Sequence, residues 1–349
     1  MNIFNIFRNR SSPLKVSILG TGSWGTTIGK ILAENTVHNY LFDTDVMIWA
    51  RSEQIKNEIN QNNTNSKYLK NIKLPNNLIC SNNLEKVYTE SDIVVFAIPY
   101  PYILETTKQI SNFNNKNKKL GILLTKGFHS KDGKHYPLSY YIKDMLNIEM
   151  TVLSGANVAK WIALEEYASA TIGCLDIQVG NFIKELFITD YFSVQIVKNI
   201  KSVELFSCIK NVIALGAGII DGLGYNANTK AEIIRVGCLE MIKLIKHIHP
   251  DIECCKNMFL ENCGLADIIT TCYGGRNRLC SEVFVKSGAN LDQIEKDLLN
   301  GQKLQGPATL KSIHLFIKDN NLMDDYPLFN KLYQIFFENK DPNILLNKK

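Results

Sequence analysis

KVSILGTGSWGTTIGK, residues 15–30, is the stretch that decides the fold. Its first part is a short apolar run rich in β-branched residues, and its last part has apolar residues at helical spacing. Between them lies the pattern G-x-G-x-x-G, with Gly20, Gly22 and Gly25 as its glycines. A strand, a glycine turn and a helix in this order are typical of a dinucleotide-binding site.

Each glycine has its own task in such a turn. Gly20 allows the tight turn out of the strand, Gly22 lets the backbone approach a diphosphate, and Gly25 lets the helix pack close to the strand. The N–H groups and the positive end of the helix dipole then face the anion. A glycine-rich turn without a ligand is the alternative, but the flanking strand and helix favour the dinucleotide.

Composition limits the function classes. A length of 349 residues favours two domains, and 45% hydrophobic with 21% charged residues is an ordinary composition. The net charge of +5 is too small to indicate nucleic-acid binding, although it suits a small anionic substrate. None of the nine cysteines forms a C-x-x-C pair, and the six histidines show no metal spacing. We therefore expect reduced thiols and no metal site.

Two stretches bear on localisation. Residues 1–13 are short and basic and lack the apolar segment of a secretory signal. Residues 205–223 are apolar, but they include Lys210, Asn211 and Asp221, so we expect them not to span a membrane. These patterns predict a cytoplasmic protein without a membrane partner.

Strands and helices alternate in the first part of the chain. After the opening strand, the predicted strands are 46–50, 92–99, 120–124, 150–153, 169–172 and 192–197. Helices at 103–113 and 136–146 separate some of them, and the polar segment 56–75 is predicted to be a surface excursion. The alternation predicts an α/β fold with a doubly wound, Rossmann-type parallel sheet.

Long helical patterns follow from residue 198. Apolar residues recur at helical spacing through 203–215, and the segments 231–247 and 291–298 behave similarly. We therefore predict a dinucleotide-binding domain over residues 1–197 and an all-helical second domain over residues 198–349.

The end of the second strand bears on the choice of dinucleotide. An acid at this position accepts from the ribose 2′-OH, whereas an arginine can accommodate a 2′-phosphate. Arg51 occupies it, followed by Ser52 and Glu53, so NAD and NADP both stay open. Tyr102 follows a buried strand at the edge where ligands bind, and it is either a cofactor contact or surface packing.

A series of segments resembles one family along residues 15–335. They are GTGSWG (20–25), LLTKG (123–127), SGANVA (154–159), IKNVIALGAGIIDGLGYNANTKAEIIRVG (209–237), GLADIITTCYGGRNR (264–278) and NGQKLQGPAT (300–309). Together they resemble the NAD-dependent glycerol-3-phosphate dehydrogenases. The chain departs from the family at Arg51, where relatives often have an aromatic residue, and at Lys70 and Asn71, where they often have Pro-Gly.

The resemblance implies an enzyme that reversibly transfers a hydride between dihydroxyacetone phosphate and sn-glycerol 3-phosphate. It implies NAD as cofactor, a small-molecule substrate, a homodimer, and a substrate-binding role for the helical domain. The glycine turn, the end of the second strand and the resemblance together predict these cofactor contacts: Gly20, Thr21, Gly22, Ser23, Trp24, Gly25, Arg51, Tyr102, Ala159, Arg276, Lys303 and Gln305.

Catalytic and substrate roles also follow from the resemblance. Lys210 matches the proton-transferring lysine, and Lys126 matches a lysine that contacts substrate. Asp267 and Thr271 match polar residues of the site, with Asp267 beside the catalytic lysines. Hydride reduction of a ketone leaves an alkoxide that needs a proton, and a nearby cation polarises the carbonyl beforehand.

The substrate phosphate is assigned in the same way. Arg276 and Asn277 match the family's phosphate-binding pair. A planar guanidinium suits a phosphate dianion, and the two glycines before Arg276 let backbone N–H groups approach an anion.

Without the resemblance, each residue also has a structural interpretation. Lys210 would extend its ammonium to water from an apolar helix, Asp267 would be a helix N-terminal residue, and Lys303 and Gln305 would be solvated loop residues. The residues also bear on two other functions. Hydroxyacyl-CoA or 6-phosphogluconate dehydrogenases lack the Gly-Gly-Arg-Asn segment, and a cofactor-binding sensor without turnover would not need both lysines and the arginine.

Overall fold

The computed structural model of the chain forms two units. The residues it describes are 3–113, 117–131, 134–250, 255–299 and 301–346. The first unit comprises Met1–Lys126 and Leu138–Val203, and the second comprises Gly127–Pro137 and Glu204–Lys349. The segment 127–137, which the predicted boundary assigns to the first domain, therefore belongs to the second unit.

Strands in the described residues are numbered along the chain. They are β1 (Leu14–Leu19), β2 (Phe42–Trp49), β3 (Leu78–Ser81), β4 (Ile93–Phe96), β5 (Leu120–Leu123), β6 (Phe128–Lys131), β7 (Lys134–Pro137), β8 (Glu149–Ser154), β9 (Ala168–Gly173) and β10 (Phe192–Val197). Eight of them form one sheet in the order β10-β9-β8-β5-β4-β1-β2-β3, and β6 pairs with β7 as an antiparallel hairpin.

Helices of the first unit flank this sheet. They are α1 (Ile3–Arg8), α2 (Ser23–Thr36), α3 (Glu53–Asn62), α4 (Leu84–Thr89), α5 (Tyr100–Ser111), α6 (Leu138–Leu146), α7 (Ala159–Ala163) and α8 (Ile177–Phe187). The remaining helices are α9 (Ile200–Gly222), α10 (Ala227–Ile248), α11 (Cys255–Phe259), α12 (Asp267–Gly274), α13 (Arg276–Ser287), α14 (Leu291–Leu299), α15 (Gln305–Asp319) and α16 (Pro327–Phe337).

The central strands are apolar because both faces of the sheet are covered. Every residue of β4 and β5 is buried, as expected of a parallel sheet between helical layers. β1 pairs in parallel with β2 on one side and with β4 on the other. The strand order therefore reverses at β1, and the glycine turn that follows β1 lies at the point where open α/β sheets bind ligands.

One pair of strands departs from the parallel prediction. β8 and β9 run antiparallel, with Leu153 opposite Ile172. The only helix between them, α7, has five residues and spans about 7.5 Å, whereas a six-residue strand spans about 20 Å. The chain therefore turns back at the same edge of the sheet instead of crossing to the other.

Other local predictions were incomplete or wrong. β3 and the β6–β7 hairpin were not predicted, and the helix predicted at 136–146 begins only at Leu138, because the residues before it form β7. The segment 56–75 is not a simple surface excursion, since its Leu69, Ile72 and Leu74 belong to the core of the first unit. The predicted α/β class is confirmed: the chain has a Rossmann-type sheet and a helical second part. The β6–β7 hairpin is the one addition to the helical part among the described residues.

α9 is the core helix of the second unit. It is long and apolar enough to cross a membrane, but its most apolar window is entirely buried inside the protein, as expected of a core helix. A Cβ on Gly218 would overlap the carbonyl oxygen of Arg278. Glycine at this position therefore lets α9 and α13 approach each other backbone to backbone.

Candidate active site

The glycine turn between β1 and α2 has the shape that a diphosphate requires. Gly20 has a φ of +117°, a conformation that residues with a Cβ rarely adopt. A Cβ on Gly25 would overlap the carbonyl oxygen of Gly20, so only glycine lets the helix pack here. A Cβ on Gly22 would meet nothing within 4 Å, so the backbone at Gly22 borders open space.

The first turn of α2 is prepared for an anion. Gly22 caps the helix without a side-chain hydrogen bond, and the first turn contains no acidic residue. N–H groups at such a helix start, together with the helix dipole, attract phosphate groups. The turn therefore fits the diphosphate of a dinucleotide.

Other side chains of the turn are engaged within the protein. Ser23 Oγ donates a hydrogen bond of 2.9 Å to the Tyr68 carbonyl, and the Trp24 ring packs edge-on at 6.4 Å from the Phe192 ring. Thr21 is buried. The predicted contacts of these turn residues with a cofactor would thus be made by their backbone.

Arg51 and Tyr102 lie together at the carboxyl edge of the sheet. The guanidinium carbon of Arg51 is 4.7 Å from the centroid of the Tyr102 ring, and both residues are exposed. The carboxylate nearest in sequence, Glu53, accepts a hydrogen bond of 2.5 Å from Asn82 and pairs with Lys56. The end of β2, where a dinucleotide fold often has an acid, is therefore followed by a cation on an aromatic ring.

Two other predicted residues follow strands of the first unit. Ala159 begins α7, and its carbonyl accepts a hydrogen bond of 3.0 Å from Thr27 Oγ1 on α2. Lys126 follows β5 and is half-buried, and the hydroxyl of the adjacent Thr125 donates to the Ile98 carbonyl at 2.7 Å. The Ala159 loop is therefore tied to the helix that begins at the glycine turn.

Lys210 lies in a buried polar cluster of the second unit. Its Nζ is 2.5 Å from Asp267 Oδ1 and 2.5 Å from Thr271 Oγ1. Lys210, Asp267 and Thr271 are 5%, 2% and 7% exposed. Asp267 and Thr271 are one turn apart on α12, so they meet the same ammonium from one helix face. The ammonium of Lys210 is thus held inside the protein instead of extending to water, and buried ion pairs of this kind are candidates for functional sites.

A π-helical turn leads into this cluster. Asn262–Ala266 forms the turn, and α12 begins immediately after it with Asp267. A Cβ on Gly264 would overlap the carbonyl oxygen of Phe259, so glycine allows the close approach. Short π-helical turns are frequent at functional sites.

The Asn277 side chain connects three helices. Its Nδ2 donates to Asn211 Oδ1 on α9 at 3.0 Å, and its Oδ1 accepts from the N–H of Gly306 on α15 at 3.0 Å. Sequence reasoning missed Asn211 and Gly306, although an asparagine directly after Lys210 in an apolar helix was a signal for the first. The Asn277 side chain is therefore engaged with α9 and α15, while its backbone N–H lies in the first turn of α13.

Two arginines at the start of α13 are held differently. Arg276 is exposed, and its NH1 donates to Gln302 Oε1 at 2.9 Å. Arg278 donates from Nε to Asp221 at 2.5 Å and pairs with Glu282 at 2.8 Å. Arg276 therefore contacts a neutral amide, whereas Arg278 is paired with carboxylates.

Lys303 lies just before α15, and Gln305 is at its start. Lys303 Nζ lies 2.6 Å from Asp292 and 2.8 Å from Glu295, and hydrogen bonds to these carboxylates raise the pKa of Lys303 above its usual value. Glu295 also accepts from the N–H of Leu304 at 2.9 Å. Gln305 is the first residue of α15.

These features are those of a dinucleotide-dependent oxidoreductase: a Rossmann-type sheet, a glycine turn that fits a diphosphate, and a buried lysine cluster. Two family models match the chain: the NAD-dependent glycerol-3-phosphate dehydrogenase N-terminus over residues 15–180 and its C-terminus over residues 199–347. The cytoplasmic NAD(+) glycerol-3-phosphate dehydrogenase of Rattus norvegicus is 40% identical, with 93% of this chain and 94% of that protein covered.

Solved structures agree with this match. A Plasmodium falciparum glycerol-3-phosphate dehydrogenase is 38% identical with a TM-score of 0.94, covering 100% of this chain and 99% of that one. The Saccharomyces cerevisiae enzyme is 34% identical with a TM-score of 0.86, covering 95% and 98%. The chain belongs to the family of NAD-dependent glycerol-3-phosphate dehydrogenases. The family and its NAD cofactor, both predicted from the sequence, are thereby confirmed.

Proposed function

We propose that this chain reduces dihydroxyacetone phosphate to sn-glycerol 3-phosphate and catalyses the reverse reaction, with Lys210 as the proton donor and acceptor. The observation that carries the proposal is the buried ammonium of Lys210 between Asp267 and Thr271. Bound NADH supplies the hydride. The alkoxide that develops on the substrate needs a proton, and a positioned ammonium both polarises the carbonyl and delivers that proton.

Asp267 and Thr271 have distinct tasks in this proposal. The Asp267 carboxylate keeps the buried Lys210 ammonium charged and in place, since an unpaired buried charge would be costly. The Thr271 hydroxyl, one turn further along α12, fixes the direction of the same nitrogen. Lys126, after β5, is the second lysine proposed to contact the substrate.

The phosphate of the substrate is assigned to the start of α13. Gly275 caps this helix without a side-chain hydrogen bond, which leaves helix-start N–H groups for an anion. Arg276 adds a guanidinium that can bind two phosphate oxygens, and Asn277 adds its backbone N–H. A neutral partner such as Gln302 is exchanged for phosphate at lower cost than a carboxylate would be.

The first unit is assigned to the cofactor. The backbone of the glycine turn binds the diphosphate, and Arg51 with Tyr102 lies beside the adenosine. Ala159, Lys303 and Gln305 stay predicted contacts on the basis of the family resemblance. NAD is preferred over NADP in this proposal, with the Arg51 guanidinium used for stacking on aromatic rings.

One assay tests the function. Purified protein is mixed with NADH and dihydroxyacetone phosphate, and the loss of NADH absorbance is followed. We expect turnover with dihydroxyacetone phosphate and none with 3-ketoacyl-CoA or with 6-phosphogluconate and NAD. NADH binding without turnover would instead support a sensor.

We also propose a cytoplasmic homodimer. The family resemblance and the long apolar helices from α9 onward support the dimer, and the cytoplasmic forms among the relatives support the location. Sedimentation at micromolar concentration should give the mass of two chains, and a monomer mass alone would contradict it. Fractionation of cells should recover the chain in the cytosol.

A further inference from the structure

The segment after α3 holds the glycine turn from outside. Asn65 is fully buried, and its Nδ2 donates to the Thr21 carbonyl at 2.9 Å and to Thr26 Oγ1 at 2.8 Å. Asn65 and Thr21 are 44 residues apart in sequence. Three residues further on, the Tyr68 carbonyl accepts from Ser23 Oγ. A segment outside the G-x-G-x-x-G motif thus contacts three residues of the turn and of the first turn of α2.

The orientation of the Asn65 amide is dictated by its partners. The Thr21 carbonyl can only accept, and it also accepts a hydrogen bond of 3.1 Å from Thr26 Oγ1. Thr26 Oγ1 has thereby donated its hydrogen and receives the second N–H of Asn65. The Oδ1 of Asn65 is buried without a hydrogen-bond partner among the described residues. Since such an orphaned acceptor is costly, the nitrogen contacts are what retain this side chain.

The Thr21 carbonyl fixes the direction of the next N–H group. In a planar trans peptide, the carbonyl of one residue and the N–H of the next point in opposite directions. Because the Thr21 carbonyl points inward to Asn65, the N–H of Gly22 points away from Asn65. The space beside Gly22 is open, as a Cβ there would meet nothing within 4 Å.

We propose that Asn65 is a positioning residue for the cofactor: by holding the Thr21 carbonyl inward, it aims the Gly22 N–H at the NAD diphosphate. The glycine at position 22 makes this necessary, since a peptide before glycine has unusual freedom to rotate. The rotated peptide would present a carbonyl oxygen to the diphosphate and repel it. Asn65 excludes that state before the cofactor arrives, so binding does not have to order the turn.

A matched pair of variants tests the proposal. Asn77 is the control, because its Nδ2 also makes two hydrogen bonds. It donates to the carbonyls of Ala33 at 2.8 Å and Thr44 at 2.6 Å, and Ala33 belongs to the far end of α2. Asn65→Leu should weaken NADH and ADP-ribose binding about 10- to 100-fold. This is the loss expected when the hydrogen bond from the Gly22 N–H to the charged diphosphate is lost. Asn77→Leu should change both affinities by less than about twofold.

Two readouts separate positioning from folding. Dissociation constants come from calorimetry, and the melting temperature of the cofactor-free protein is recorded for each variant. We expect both leucine variants to lower the melting temperature, but only Asn65→Leu to lose NADH affinity. If both variants lowered the melting temperature equally and neither lost NADH affinity, the proposal would be overturned and Asn65 would be a structural residue.

A second variant remains informative if Asn65→Leu does not fold. In Asn65→Asp, a protonated carboxyl can still donate one hydrogen to the Thr21 carbonyl, whereas a carboxylate cannot. NADH affinity should therefore fall with rising pH in Asn65→Asp but not in the unmodified chain. Parallel pH profiles would contradict the proposal. The inference rests on the NAD cofactor alone. If the unmodified chain bound NADH but did not turn over dihydroxyacetone phosphate, the proposed substrate would be refuted and the test of Asn65 would still stand.

Discussion

The glycine turn and the lysine cluster carry their chemistry on different parts of the chain. At the turn, the proposed contacts are backbone N–H groups of neighbouring residues, since the side chains of Ser23 and Trp24 are engaged within the protein. In the cluster, Lys210 meets partners that are 57 and 61 residues away in sequence. Local sequence therefore reveals a backbone site directly, whereas a side-chain site becomes visible only through contacts between distant helices.

The largest expected effect comes from breaking the cluster itself. Lys210→Ala should lower kcat by about 10²- to 10⁴-fold, because the general acid is lost. NADH affinity should stay near normal, because the turn is untouched. Steady-state kinetics and calorimetry measure the two quantities.

Lys230→Ala is the matched control. Lys230 is also a buried lysine of the second unit, 7% exposed, and it pairs with Asp221 at 2.7 Å. This variant should lose stability but keep kcat within about a few-fold. If a folded Lys210→Ala protein turned over within a few-fold of the unmodified chain, Lys210 would be a structural lysine.

The two arginines of α13 sharpen the comparison further. Arg276→Ala should cost about 2–5 kcal/mol in kcat/KM for dihydroxyacetone phosphate, because a charge-assisted contact to phosphate is lost. Arg278→Ala removes an equal charge two positions away, but that charge is already bound by Asp221 and Glu282. It should affect stability more than kcat/KM. Equal losses for dihydroxyacetone phosphate and for unphosphorylated dihydroxyacetone in Arg276→Ala would refute the phosphate role.

Glu240 is a buried carboxylate that, unlike Asp267, accepts hydrogen bonds from backbone N–H groups. Its oxygens accept from the N–H groups of Leu328 and Phe329 at 2.7 and 3.0 Å, and burial raises the pKa of Glu240 from 4.5 to about 7. The folded state thus binds this proton more tightly than the unfolded state. The free energy of unfolding should fall by about 3 kcal/mol as the pH rises from below 4.5 through 7.

Urea unfolding at several pH values measures this contribution. Glu240→Gln cannot ionise, so the difference in unfolding free energy between it and the unmodified chain should change with pH in that window. A difference that stays constant from about pH 4 to pH 8 would show that folding does not raise the pKa of Glu240.

The smallest expected effect concerns Arg51. Arg51→Ala should cost about 0.5–1 kcal/mol in kcat/KM for NADH, the value of an exposed contact between a cation and an aromatic ring. The unmodified chain should use NADH better than NADPH. Equal or better use of NADPH would contradict this preference, and Arg51→Asp should then restore it by repelling the 2′-phosphate.

The fold could be predicted where periodicity was strong. Buried strands such as β4 and the strand–turn–helix at residues 15–30 have unmistakable local patterns. The four-residue β3 does not, because short strands lack a full period. The direction of β9 depends on the length of α7, which local patterns do not give. The β6–β7 hairpin belongs to the second unit because of contacts with residues far along the chain.

The candidate site was predictable only in part. Asp267 and Thr271 at i and i+4 could be seen to share a helix face, but their meeting with Lys210 could not be read from spacing. Asn65 lies in a polar segment whose composition predicts surface, and nothing in local sequence shows that this asparagine is fully buried. Buried amides that connect distant elements are therefore the residues that sequence reasoning misses first.

Gly218 has a consequence for substrate selection. Because α9 and α13 touch through their backbones at this residue, the spacing between the helices that carry Lys210 and Arg276 does not depend on side-chain rotamers. The proposed proton donor and phosphate site are thus attached to one rigid frame. We therefore expect a phosphorylated ketone longer by one carbon to fit this frame less well than dihydroxyacetone phosphate.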